Sequence, residues 1–194
     1  MNHLAHFALA GDDACLIVGG FLGDYVKGRL QGQLPDSIER GVRLHRAIDR
    51  FTDNHPVTKR SSRRLPNRFH RYGGIITDVV YDHLLALNWA RFYATPLKDF
   101  SSRALDILLD SRDYLPPNAL RTATRMHELN ALVGYQEQAF IERSLVYLST
   151  RLKRDNPLDE AAAEVVEHLD AISEDLDEFY PELRLFCDEW RESN

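Results

Sequence analysis

The chain has 194 residues, 44% hydrophobic and 28% charged, a balance that buries a real core and excludes wholesale disorder. Its formal net charge is −6, and its two cysteines, Cys15 and Cys187, exclude a disulfide framework and suit a reducing cytoplasm. No apolar run approaches the roughly 18 residues of a membrane span, and the opening MNHLAHFALAGDDAC lacks the basic segment of a secretory leader.

Helical periodicity runs along almost the whole chain, and no alternating strand pattern leads into a hairpin turn. Asp12 or Asp13 caps a first helix reaching Val26, with Leu16, Ile17, Phe21, Leu22 and Tyr25 on its apolar side. Gly19, Gly20 and Gly23 either weaken that helix or mark close backbone approach. Pro35 and Asp36 begin the next unit, where Asp36 and Glu39 form a capping-box-like start. This helix carries Val42, His45, Ile48 and Asp49, runs to about Thr52, and is broken by Asn54, His55 and Pro56. A basic helix follows around 57–71. After Gly73 and Gly74 comes a strongly apolar helix over roughly 75–94. Further helices are expected near 97–112, 117–131, 135–153 and 158–179, with a last one after Pro181. The expectation is an all-α fold of about eight helices forming a single domain over 1–194.

Charge is segregated. From Arg40 to Arg71 there are nine arginines and Lys59 against Asp49 and Asp53. From Asp155 to the end there are fourteen acidic residues against Arg184 and Arg191. Two readings follow: the segments pack together and compensate, or a basic face stays open to an anionic partner. The basic residues sit at helical intervals without a lysine-rich tail, which disfavours nucleic acid.

Histidine and aspartate concentrate on otherwise apolar helices. His45 and Asp49 share one helix face, as do Asp78 and Asp82, with His83 adjoining. Asp24 ends the first helix in GDYVKG, and His3 and His6 open the chain. Carboxylates on apolar faces are costly unless paired or metal-bound. Helices that each offer one imidazole or carboxylate to a common point build metal sites, and mixed N/O donors suit Mn, Fe, Zn or Mg. Such an ion serves phosphoester hydrolysis. The plain alternative stands beside this: Asp49 pairs only with Arg46 or Arg50, His45 is a core histidine, and Asp78 is a cap. No P-loop, GxGxxG or GxSxG motif is present.

On these residues the sequence resembles the acyl carrier protein phosphodiesterases, also called ACP hydrolases. The matching blocks are MNHLAHFALA, GGFLGDYVKG, GVRLHRAIDRFTDNHP and ITDVVYDHLLALNW, in order over residues 1–94. The resemblance implies a helical fold related to the HD phosphohydrolases, a cytoplasmic location and a divalent metal, manganese before magnesium, iron or zinc. It implies that holo acyl carrier protein is hydrolysed to its apo form with release of 4′-phosphopantetheine. The metal candidates it carries over are His6, Asp24, His45, Asp82 and His83. Asp24, Asp49, Asp78 and His83 become catalytic candidates, and Lys27, Arg46, Arg63 and Arg64 candidates for substrate binding. Asp82 followed by His83 reverses the His-Asp order that names the HD enzymes, and no His-Asp dipeptide occurs in the chain.

The expected partner is therefore the acidic carrier protein, docked on the Arg40–Arg71 face, with no membrane, no nucleic acid and an open oligomeric state. Two other readings remain at this stage. One is a related metal phosphohydrolase acting on a nucleotide or small phosphoester. The other is a helical binding protein whose His and Asp residues are structural.

Overall fold

The computed structural model describes residues 1–194 and is all-α, without strands. Twelve α-helices follow in order: α1 (His3–Leu9), α2 (Ala14–Leu22), α3 (Asp36–Asn54), α4 (Pro56–Arg64), α5 (Gly73–Leu87), α6 (Trp89–Phe92), α7 (Leu97–Asp110), α8 (Pro117–Glu128), α9 (Ala131–Gly134), α10 (Ala139–Arg151), α11 (Ala161–Glu167) and α12 (Leu169–Ser193). Short 3₁₀ turns cover Asn67–Tyr72, Arg112–Tyr114 and Leu158–Glu160. One hydrophobic cluster of 49 buried residues runs through all the major helices.

The count exceeds eight because several expected helices are broken. The helix expected over 75–94 divides at Asn88, whose side-chain amide donates to the Leu84 carbonyl at 3.0 Å and competes with the backbone ladder. The helix expected over 117–131 ends before Asn130, which adopts a left-handed conformation at φ 45° and accepts a hydrogen bond from Ser101 Oγ at 2.7 Å. Asparagine is among the few residues that take this conformation readily.

Two expected ends are corrected. Asp36 and Glu39 do not form a capping box: Pro35 occupies the cap without a side-chain bond, and Glu39 Oε1 instead accepts the Gly32 N–H at 2.9 Å. Pro181 does not separate two helices but lies inside α12. Interior proline costs about 3 kcal/mol. Leu176, Phe179, Tyr180, Leu183 and Cys187 keep one buried stripe across it. Burial of such side chains at about 1.5–3 kcal/mol each offsets the cost.

The α2–α3 crossing positions the site. A Cβ at Gly19 would lie 2.2 Å from the Ile38 carbonyl oxygen, and one at Gly41 would lie 2.8 Å from Gly19 Cα. The backbones therefore meet with no side chain between them, so the sequence glycines mark close approach. α1 packs against α2 and α5, while α12 lies across α3, α4 and α5.

The basic and acidic segments face each other. Asp175 of α12 is buried and accepts from Arg60 Nε at 2.7 Å, Arg64 Nε at 2.7 Å and Ser61 Oγ at 2.7 Å. Arg68 pairs with Glu164 at 2.9 Å, and His55 with Glu182 at 3.2 Å. Compensation within the fold accounts for much of the charge segregation. No helix is long and apolar enough to cross a membrane.

Candidate metal centre

His6 of α1 meets His45 and Asp49 of α3. The i, i+4 spacing stacks His45 and Asp49 on one face, and the short first helix lays His6 beside them. The two imidazoles stack with centroids 4.0 Å apart and an interplanar angle of 16°. His6 Nε2 lies 3.2 Å from Asp49 Oδ1, and His45 Nε2 lies 3.1 Å from Asp49 Oδ2. One candidate ligand atom from each residue falls within 4.8 Å of the others.

Local sequence explains the seating of His45. A Cβ at Gly23 would approach His45 Cγ to 2.2 Å, so glycine leaves the space the ring fills. Asp24 follows directly, with Oδ1 4.0 Å from His45 Nε2 and Oδ2 3.7 Å from His3 Nδ1. Both imidazoles of the cluster are buried, whereas Asp24 and Asp49 are 54% and 44% exposed. The site thus has an imidazole floor and a carboxylate mouth.

Electrostatics follow from that burial. Desolvation, reinforced by neighbouring His45, pushes His6 down to about 4, so it is neutral near pH 7. Burial alone would raise Asp49, but hydrogen bonds from His45 and His6 outweigh it and hold the carboxyl well below its usual range. Burial lowers His3 as well. His6 Nε2 also faces the Met1 carbonyl at 3.1 Å, an acceptor, so Nε2 carries the proton. His6 Nδ1 and His45 Nδ1 are then buried without any protein partner. Two buried imidazoles flanking one carboxylate, with a ligand atom of each residue within 4.8 Å of the others, form a donor set that fits a divalent metal, whose binding would displace the proton on His6 Nε2.

The remaining candidates fall elsewhere. Asp82 is fully buried and accepts backbone N–H groups from Asn2 at 3.2 Å, Leu4 at 2.8 Å and Ala5 at 3.4 Å. It satisfies the orphan donors at the start of α1, a structural role that turns it from the imidazoles. Burial pushes Asp82 up to about 7. His83 donates Nδ1–H to the Tyr135 carbonyl at 2.7 Å and is lowered by burial; it does not join the cluster. Asp78 holds the buried Met1 amine at 2.6 Å, and burial keeps its carboxyl above the usual range.

Arg46 donates to the Val26 carbonyl at 2.9 Å, tying the Asp24 loop to α3, and Lys27 is exposed on that loop. Arg63 is exposed, but Arg64 is held by Asp175. Of these two expected substrate-binding arginines, Arg64 is engaged in an ion pair within the fold and Arg63 is not.

The sequence did not single out Met1, whose amine and carbonyl link Asp78 to His6, nor place His3 against Asp24. The i, i+3 spacing of His3 and His6 was the available signal. Asp49, weighed against pairing with Arg46 or Arg50, pairs instead with the two histidines.

The family described as acyl carrier protein phosphodiesterase matches residues 1–183. A protein named acyl carrier protein phosphodiesterase from Pectobacterium atrosepticum is 30% identical, covering 94% of this chain and 95% of its own. A protein of the same name from Photorhabdus laumondii is 29% identical, covering 93% and 92%. One from Escherichia coli is 28% identical, covering 94% and 95%. No solved structure matches the chain.

Proposed function

The chain belongs to the acyl carrier protein phosphodiesterase family, and from that premise we propose that it hydrolyses holo acyl carrier protein to the apo form and 4′-phosphopantetheine with a divalent metal. The observation that carries the reading is the convergence of His6, His45 and Asp49 from two separate sequence blocks, with one candidate ligand atom of each within 4.8 Å of the others. These three residues would hold the ion. When bound, it would polarise a phosphoryl oxygen and acidify a water. Manganese suits this N,N,O donor set, and magnesium, iron or zinc are the alternatives.

The protein's own groups do the rest. Asp24, half-exposed at the mouth, would take the proton of the attacking water on a carboxylate oxygen. Arg46 keeps Asp24 in place through its bond to the Val26 carbonyl. Lys27 on the same loop faces solvent, where it can offset charge on the phosphoryl oxygens. Asp78, a catalytic candidate from the sequence, is tied to the Met1 amine at 2.6 Å; the proton that Asp24 takes from water would be the one returned to the leaving serine oxygen. His83, carried over as a catalytic candidate, has no such position in this scheme. The kinship with HD phosphohydrolases and the cytoplasmic location belong to the same proposal, as does the single domain over 1–194.

The test is intact-protein mass spectrometry of holo acyl carrier protein incubated with the protein and Mn²⁺, with a chelator control. Metal-dependent loss of the phosphopantetheine mass is expected. An intact holo carrier beside folded, metal-loaded protein contradicts the substrate assignment.

A further inference from the structure

A separate cavity of about 230 Å³ lies between α3, α4 and α5, and no hydrophobic residue lines it. It adjoins the candidate metal centre along two paths. Asp49, Thr52 and Asp53 stand at i, i+3 and i+4 on α3, so the cavity begins one turn, about 5.4 Å of helix, beyond Asp49. Asp78 lines the opposite side and holds the Met1 amine, while the Met1 carbonyl meets His6 Nε2 at 3.1 Å.

The floor carries an unmet demand. Thr52 is only 3% exposed, and its Oγ1 is buried without a partner. Buried hydroxyls are nearly always bonded, and leaving one unpaired costs about 1–3 kcal/mol. At the rim, Arg63 is exposed and makes no ion pair or hydrogen bond within the protein, and Lys59 stands one turn earlier on α4. Asp53 and Asp78 add two carboxylates.

That mixture selects among ligands. Asp53 and Asp78 share the wall with Lys59 and Arg63, and with His70, so the formal charges balance and nothing there singles out a second anion. Amides and hydroxyls both donate and accept, which matches hydroxyls, cations and carboxylates together. The volume is below the about 300–1,000 Å³ of a drug-sized pocket, so a slender polar segment fits and a carrier helix does not.

We propose that this cavity receives the amide- and hydroxyl-bearing part of the pantetheine arm, extending from a phosphorus held at His6, His45 and Asp49. The assignment rests on the phosphodiesterase reading above and adds to it the residues that recognise the arm. Thr52 lines the cavity, and a turn about its Cα–Cβ bond brings the unpartnered Oγ1 to the arm when the arm enters. A site built to bond such a group rejects a chain lacking it.

Gly74 lines the cavity and a Cβ there would meet nothing within 4 Å, so a larger side chain is accommodated at the cavity wall without displacing backbone. Unphosphorylated pantetheine is titrated calorimetrically into the wild type, Gly74→Leu and Thr52→Val, with inorganic phosphate titrated in parallel. The wild type is expected to bind pantetheine, and each variant at least about tenfold more weakly, with phosphate affinity within about twofold. Circular dichroism checks folding. If Gly74→Leu does not fold, the near-isosteric Thr52→Val decides. Equal pantetheine affinity in all three proteins overturns the proposal. So does no binding to the wild type, or a loss confined to phosphate. Carrier cleavage is measured separately. Pantetheine binding that the variants lose, beside an uncleaved carrier, upholds the cavity and overturns the reaction. Cleavage with unchanged KM in both variants upholds the reaction and overturns the cavity.

Discussion

Two kinds of carboxylate and imidazole occupy this protein, and their partners separate their roles. His6 and His45 converge on Asp49 and keep buried nitrogens without partners, whereas Asp82 is spent on three backbone N–H groups and His83 on one carbonyl. Substitution should divide along the same line. His45→Ala is expected to remove bound metal, measured by elemental analysis, with the chelated protein still folded by circular dichroism though less stable for the void the ring leaves. Asp24→Asn, which alters a group beside His45, is expected to lower turnover by about 10–100-fold with metal still bound. Asp82→Ala is expected to cost about 1–3 kcal/mol in urea unfolding, because it strands donors at the start of α1. The shared helix face of His45 and Asp49 was legible from their spacing, which left a metal role and a structural pair both open. The roles of Asp82 and His83 were not, because a carboxylate that caps a distant helix has the same local pattern as one that binds a metal.

At the scale of elements, the helical class and most helix starts followed from periodicity and punctuation. Asp13 caps α2 by accepting from Cys15 N and Leu16 N, and His55 Nδ1 caps α4 at Val57 N, as the sequence around them suggested. Breaks set by tertiary partners were hidden: Asn130 turns left-handed while bonded to Ser101, and Pro181 is carried by the buried stripe of α12. The glycines of the α2–α3 crossing are the element-level test. Gly19→Ala forces a Cβ into the Ile38 carbonyl, so a loss of about 1–3 kcal/mol is expected in urea unfolding. Gly74→Ala, in open space on α5, should be neutral or stabilising by up to about 1 kcal/mol. Equal effects at the two sites would contradict the close crossing.

Over the whole molecule, the acidic C-terminal helix neutralises part of the basic face, and the sequence held this open against an exposed docking surface. Asp175 shows the energetic consequence. Burial would raise its carboxyl, but Arg64, Ser61 and Arg60 outweigh that and depress it. A depressed folded pKa stabilises fully above the unfolded value of about 3.9, and that contribution fades as the pH falls through the folded value. The melting temperature of Asp175→Asn should therefore lie below wild type at neutral pH, with the gap narrowing below about pH 4. A gap that is constant with pH would exclude this ion-pair role. The arginines divide in the same way. Arg63→Glu should chiefly raise KM for an acidic carrier, with a smaller effect in high salt, whereas Arg64→Glu should chiefly lower stability. Identical kinetic behaviour of the two variants would contradict the division between a rim cation and a structural one.

The most direct test of the metal centre is an electron paramagnetic resonance titration of Mn²⁺ into the wild type, His45→Ala and Asp82→Ala. One tight site per chain in the wild type, lost in His45→Ala and retained in folded Asp82→Ala, is the expected result. Undiminished tight binding in folded His45→Ala, or its loss in Asp82→Ala alone, would contradict the assignment to His6, His45 and Asp49.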